Sequence, residues 1–451
     1  LRNKHQQTMP SGSTGHPCLE PMKTNPQTSS APRSMNRREF IRTSSKTAAV
    51  LGASSLLIAR QNVLGANDKI GVGFIGCGKR GVNHLQLIHA WTTQGKPLRI
   101  VALCDAYGPR LRDLAEGYQA KPYQRHQDLL ADKEVDVVCI STPDRLHVPQ
   151  ALDAIRAGKD VYCEKPMGHW GQFALCKQFY EATRKSDRVV QMGIQINSNS
   201  AWQKVKELIQ RGDIGRVQHV TAGYYRPGDW GERWPIPDPN ARPGPDLDWK
   251  AFLGDAPEVP FSVERFFSWR KYLDYSGGPA TDLFPHVLTP FINVLGLKFP
   301  SRVLASGGIY KYDNYGREVP DTFNLVLEYP ERLSVNLVCT LTNGHNSDPV
   351  IRGDGGTIVL EGTNFGAGFR RIKRYPVKWK DESEVTEIPV TMPNVLADHW
   401  TNFLECVRTR AQPNTGPELG LRMQAVSSMG MLAYLKQKVA HFDAVKQEIL
   451  I

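Results

Sequence analysis

The chain of 451 residues has no CxxC pair, no internal repeat and no Cys/His spacing that fits a zinc site. Its eight cysteines fall mostly in apolar, strand-like runs, where a free thiol behaves as a small hydrophobe. A chain this long needs no disulfide framework, and no bound metal is expected. No run reaches the roughly 18 apolar residues of a membrane-spanning helix. Charge of one sign is also scarce in the body. The whole chain is +11, from 56 Lys+Arg against 45 Asp+Glu, but nine of the bases and only two of the acids lie in residues 1–66. The remainder holds 47 bases and 43 acids, so nothing in its composition points to a nucleic-acid partner.

What is present begins with a leader over residues 1–66. Residues 1–34 are rich in Ser, Thr, Pro, Asn and Gln, and read as disordered or as lying ahead of the true start. Met35 opens a better pattern: Arg37-Arg38 is followed two positions later by Phe40, then by a short apolar stretch, Ala48 to Ala59. That arrangement reads as a twin-arginine export signal, with small residues at Gly65 and Ala66 for cleavage, and places the protein in the periplasm. A chance arginine pair on an amphipathic N-terminal helix is the plainer reading.

From residue 67 to 195, apolar strands alternate with helical patterns. Lys69–Ile75, Leu98–Cys104, Val135–Ser141, Val161–Cys163 and Val189–Gln195 read as strands, with helices between them. This is the signature of a doubly wound parallel sheet, a Rossmann domain. From 196 to 451 the rhythm changes. Val217–Tyr225, Arg302–Tyr310, Thr322–Tyr329, Leu333–Leu341 and Thr357–Glu361 read as strands without helices between them, which predicts an α+β domain with a large, mostly antiparallel open sheet. The C-terminal helices, Asp398–Arg408 and Leu419–Lys438, are free to pack back on the first domain.

Two registers of GxGxxG overlap, and only Gly76-Cys77-Gly78-Lys79-Arg80-Gly81 follows a strand and opens a helix. Such a loop brings backbone N–H groups and a helix N-terminus to a pyrophosphate. Asp105 directly after the second strand is placed to accept from a ribose hydroxyl and to repel a 2′-phosphate, so NAD is expected over NADP. Thr142, Pro143 and His147, in Ser141-Thr142-Pro143-Asp144-Arg145-Leu146-His147, fall at the carboxyl end of the third strand, the edge where open α/β sheets bind ligands. Glu164-Lys165-Pro166 leaves the next strand, and on spacing alone a solvated ion pair competes with a functional role. In Gly277-Gly278-Pro279-Ala280-Thr281-Asp282-Leu283-Phe284-Pro285-His286, Asp282 and His286 share a face if the segment is one helix. A capping Asp beside a buried His is the alternative.

The order of these motifs resembles the glucose–fructose oxidoreductase/inositol dehydrogenase (Gfo/Idh/MocA) family over about residues 68–440. The resemblance implies a nicotinamide flanked by Lys165 and His286, with Asp282 as a third site residue and Glu164 beside the cofactor. It departs at Pro279, where a third glycine is usual, and at Thr289, where an acid is usual. The Arg37-Arg38 start and the Asp248-Trp249 segment look like the exported bacterial branch. The chemistry suits a secondary alcohol: His286 takes a proton, Lys165 holds the charged oxygen, and Asp282 orients the imidazole or binds a neighbouring hydroxyl.

Residues 221–275 concentrate four of the nine tryptophans among charged side chains. Aromatic faces beside hydrogen-bonding charges suit a sugar, which nominates Tyr224, Arg226, Trp230 and Trp234 for the substrate. Packing of the loop on its own domain, or at a subunit interface, is the competing use. The expected protein is an exported oxidoreductase acting on a carbohydrate with a retained nicotinamide cofactor, a homodimer or homotetramer associating through its open sheet. An NAD-dependent glycoside hydrolase running a closed redox cycle is the alternative, and a sugar-binding protein with a degenerate site a third.

Overall fold

In the computed structural model, residues 68–451 are described, apart from 232, 234, 364–367, 379 and 392–393. The leader with Arg37 and Arg38 therefore lies outside the described residues, as does Trp234. The described residues all fall within one compact unit, Val63–Ile451.

The first sheet has six parallel strands: β1 (Ile70–Ile75), β2 (Leu98–Cys104), β3 (Lys121–Tyr123), β4 (Val137–Ile140), β5 (Asp160–Glu164) and β6 (Val190–Gly193). Their order is β3-β2-β1-β4-β5-β6. The order reverses between β1 and β4, which opens a crevice at the carboxyl ends of those two strands. β1, β4 and β5 are buried along their whole length, as strands covered on both faces must be. The helix after β4 runs Asp144–Arg156 and carries Pro149 in its interior.

The second sheet has ten strands: β7 (Val217–Tyr225), β8 (Arg302–Gly308), β9 (Thr322–Tyr329), β10 (Leu333–Thr340), β11 (Val350–Gly353), β12 (Gly356–Glu361), β13 (Arg371–Tyr375), β14 (Thr386–Pro389), β15 (Ala440–Asp443) and β16 (Glu448–Leu450). It is antiparallel except that β7 and β10 pair in parallel. Burial alternates along β9 and β10, so one face packs inward and the other faces out. The helix Phe284–Leu295, apolar almost all round, is buried against that inner face.

Two long-range packings shape the site. The helix Val395–Thr409 returns to the first sheet, where the Trp400 ring stacks on Tyr162 with centroids 4.6 Å apart. The segment between Asp229 and Asp274 reaches over to the end of β2, with Gly108 N–H donating to the Asp246 carbonyl (2.8 Å) and Asp248 N–H to that of Ala106 (2.9 Å). Its aromatics Trp249, Phe252 and Phe266 pack together and against Tyr275, while Phe266 also meets Tyr107 at its edge. Much of the aromatic content there is thus internal packing.

Candidate active site

The phosphate loop has the geometry its glycines imply. Gly76 has φ of +89°, and a Cβ there would lie 2.8 Å from the Ser141 and Thr142 backbone. A Cβ on Gly81 would sit 2.0 Å from the Gly76 carbonyl oxygen. A Cβ on Gly78 would meet nothing within 4 Å, and no side chain caps the helix Lys79–Thr93 that starts there. The loop therefore offers open space and a positive helix end where a pyrophosphate fits, and the cradle suits NAD.

Asp105 is buried, and its oxygens accept from the Cys77 and Tyr107 N–H groups, each at 2.8 Å. It anchors the loop. Arg110 lies 3.2 Å from it and offsets its charge, so repulsion of a 2′-phosphate is weaker than the sequence implies.

Glu164 is also buried. It accepts from Arg80 Nε at 2.8 Å and from His84 Nε2 at 2.9 Å, while Trp400 Nε1 donates to His84 Nδ1 at 2.8 Å. Although burial alone would raise its pKa, Arg80 and His84 hold the carboxyl well below the usual range. His84 is kept neutral by burial and by Arg80, its pKa down to about 4. Arg80 is thus held by Glu164, and both line the cavity at the crevice. His147 likewise faces the carbonyls of Pro166 (2.7 Å) and Thr142 (2.8 Å), bracing the two motifs against each other instead of offering a nitrogen to the cofactor. Thr142 Oγ1 donates to Gln150 at 2.7 Å, and Pro143 caps the helix Asp144–Arg156. Lys79 is exposed at the first turn of its helix.

At the crevice a cavity of about 230 Å³ is lined by Thr142, Asp144, Glu164, Lys165, Asp282 and His286, with Tyr224, Arg226, Arg233, Trp269 and Arg270 on the far side. Lys165 Nζ donates to both the Asp282 backbone carbonyl and Oδ1, each at 2.7 Å. Asp282 is further bonded by Arg233 and has Arg270 Nε 3.8 Å away. Though burial opposes it, these cations hold its carboxyl well below the ordinary range.

Three expectations are corrected here. Asp282 and His286 do not share one helix: a short helix, Pro279–Asp282, ends before Leu283, and the next begins at Phe284. Both still face the cavity. Asp282 is committed to Lys165 and Arg233 and does not orient the imidazole. His286 is not poised near neutrality; burial and the Lys165 charge take its pKa down to about 3, and its Nδ1 is enclosed without a partner. Of the aromatic candidates, Tyr224 lines the cavity with Arg226. Trp230 instead packs on Tyr315 (4.8 Å between centroids) beneath Lys271, outside the lining. Sequence reasoning missed Asp144, Arg270, His84 and Trp400. Asp144 lay inside a motif already singled out, but Trp400 joins His84 across 316 positions, with no local signal.

A six-stranded parallel sheet of this order, with a glycine loop after β1 and a lysine and a histidine at its crevice, has the architecture of a dinucleotide-binding domain. Residues 70–194 match the model of the Gfo/Idh/MocA family, described as an oxidoreductase family with an NAD-binding Rossmann fold. The chain is 33% identical over 156 residues to an inositol 2-dehydrogenase of Salmonella typhimurium (strain LT2), a match covering 34% of this chain and 45% of the relative. It is 27% identical over 222 residues to a glycosyl hydrolase family 109 protein of Shewanella pealeana, covering 44% and 47%. The matches thus span about half the length of these curated relatives. The fold is shared with an aldose-aldose oxidoreductase from Caulobacter crescentus, at a TM-score of 0.61, 21% identity and coverage of 83% of this chain and 100% of that one.

Proposed function

We propose that the protein is an exported oxidoreductase that moves a hydride between a sugar or polyol CH–OH carbon and a retained NAD. The observation that carries this is the meeting of Lys165, Asp282 and His286 in one cavity at the end of the dinucleotide sheet. Bound NAD supplies the hydride acceptor. Asp282 occupies two of the three Lys165 donors, which fixes the ammonium and leaves one donor for a substrate oxygen. That cation stabilises charge developing on the oxygen as the carbon is oxidised. Neutral His286 accepts a hydrogen bond from the substrate and helps set its orientation. Tyr224 and Arg226 supply the apolar edge and polar contact a carbohydrate needs.

Purified protein incubated with sugars, inositols and nitrophenyl glycosides tests the reading. Sugar-dependent reduction of bound NAD supports it. Glycoside cleavage with no net reduction contradicts it and favours the redox-cycle hydrolase that the Shewanella relative brings into question. Lys165→Ala is expected to slow turnover by about 10²–10³-fold, and His286→Ala to slow it by less, each with NAD still bound. Retention of NAD through gel filtration is expected, since an exported enzyme has no soluble NAD pool to draw on.

Export rests on Arg37-Arg38 and the short apolar stretch after them, and Arg37→Lys with Arg38→Lys should trap the protein in the cytoplasm on cell fractionation. Association as a homodimer or homotetramer rests on the outward sheet face, where Leu304, Val326 and Val338 are exposed on adjoining strands. Light scattering reads the assembly.

A further inference from the structure

Strand β7 ends at Tyr225, and Arg226 extends its pairing by one residue, its N–H donating to the Thr340 carbonyl at 3.0 Å. Residues two apart on a strand point to the same face, so Tyr224 and Arg226 both line the cavity. The chain then turns and brings Asp229 back, with its Oδ2 3.5 Å from Arg226 Nε. The same oxygen accepts from Arg233 Nε at the closer distance of 2.7 Å. Arg226 is thus tethered through Nε alone, by a long and shared ion pair. Its two terminal nitrogens, the fork of the guanidinium, have no hydrogen-bond partner among the described residues. The side chain is 40% exposed, so the fork is open to a ligand that enters the cavity.

Other cations of the cavity have carboxylates of their own. Lys165 and Arg233 bond Asp282, Arg80 bonds Glu164, and Arg270 lies over the Trp269 ring with Asp282 3.8 Å from its Nε. Two open donor groups therefore face the cavity from different sheets: the third Lys165 donor at the end of β5, and the Arg226 fork at the end of β7. Two coplanar N–H groups match the two oxygens of a carboxylate, a fit that an ammonium cannot give. A sugar hydroxyl carries no charge and leaves that of the guanidinium unanswered. A phosphate monoester carries about −1.5 to −2 at neutral pH, more than a guanidinium already beside Asp229 balances. A single negative charge on a planar group is the better match. Tyr224 and Trp269, in the same lining, offer aromatic surface to the rest of the molecule.

We propose that the substrate of this cavity is a sugar acid, and that Arg226 binds its carboxylate through the two terminal nitrogens while the hydroxyl to be oxidised lies at Lys165. The second contact rests on the oxidoreductase reading above; the first rests on Arg226. In this arrangement Arg226 touches the substrate away from the reacting atoms and sets which carbohydrates are accepted. The competing use of Arg226 is a solvated side chain that closes the turn onto Asp229.

Calorimetric titration of the NAD-loaded protein with hexuronates and aldonates, each paired with its neutral amide, reads the site without turnover. At least one acid should bind about 10–100-fold more tightly than its amide, the worth of hydrogen bonds to a charged partner. Arg226→Gln should bring that ratio close to one. Arg226→Lys, which keeps the charge and loses the fork, should leave it between the two. NAD content and melting temperature report whether each variant is folded. A ratio near one in the unmutated protein, or an acid preference that survives in the Gln variant, overturns the proposal. So does tighter binding of a sugar 6-phosphate than of any sugar acid, which assigns the fork to a phosphate. Reduction of bound NAD by the same compounds is read separately. If the acids bind with the Arg226-dependent ratio and reduce no NAD, the carboxylate site stands and the oxidoreductase reading fails. If only neutral sugars reduce NAD, that reading stands and the sugar-acid assignment falls.

Discussion

The Glu164 charge is structural. As half of a sequence-adjacent Glu-Lys pair it invites comparison with an exposed ion pair, worth about 1 kcal/mol or less. Inside the fold it is 3% exposed and is the common acceptor of Arg80 and His84, with Trp400 behind the histidine. Removing one charge of a buried pair leaves the other uncompensated, at about 3–5 kcal/mol. Glu164→Gln should lower the urea-derived stability by about 3 kcal/mol, the low end of that range because the amide keeps a hydrogen bond. A loss under about 1 kcal/mol would return the residue to the exposed-pair reading. Lys165, by contrast, was legible from its motif, yet the reason it is held still was not. Its anchor, Asp282, lies 117 positions away, and nothing in either motif states that the carboxylate serves the lysine and not the histidine.

At the scale of elements, the phosphate loop separates binding from folding. Gly81 is needed for the chain to close on itself, since a Cβ would overlap the Gly76 carbonyl. Gly78 is needed only by a ligand, since a Cβ there enters empty space with φ at an ordinary −68°. Gly78→Ala should therefore leave the melting temperature unchanged while weakening NAD binding at least tenfold. Gly81→Ala should lower both, and calorimetry with NAD titration distinguishes them. Loss of stability in Gly78→Ala equal to that in Gly81→Ala would contradict the assignment. Elements with strong apolar period, such as β1, β2, β7 and β9, were legible to within a residue or two. Several strands that escaped are short or polar, among them Lys121–Tyr123, Arg371–Tyr375 and the edge strand Thr386–Pro389, whose charged side chains hide the alternation. The parallel pairing of β7 with β10 was also beyond reach, because partner choice depends on how 107 intervening residues wrap, not on local pattern.

Across the whole molecule, three buried histidines tie stability to pH. Each is satisfied as the neutral ring. His84 donates to Glu164 and accepts from Trp400, and His169 donates to the Leu273 carbonyl and accepts from Arg145. His399 donates to the Met192 carbonyl and accepts from the Ser198 hydroxyl. Burial, the largest cause in each, lowers their pKa values to about 4, about 3 and about 4. The unfolded chain, with histidines near 6.5, therefore binds more protons than the folded one between those limits. A folded pKa below the unfolded one means stability that is present above 6.5 and is lost as pH falls toward the folded value. Each group contributes a slope of up to about 1.4 kcal/mol per pH unit. His286 and His147, also lowered by burial, act with them, while Asp144 and Asp160, raised by burial, act in the opposite sense. Stability should thus fall steeply from pH 6.5 to pH 4, before most carboxylates protonate. His399→Gln, remote from the cavity lining, should make urea-derived stability less dependent on pH by about one proton, a slope shallower by about 1.4 kcal/mol per unit. An unchanged slope in that variant would mean that His399 is already protonated in the fold, and that the hydroxyl of Ser198 is accepting from its ring instead of donating.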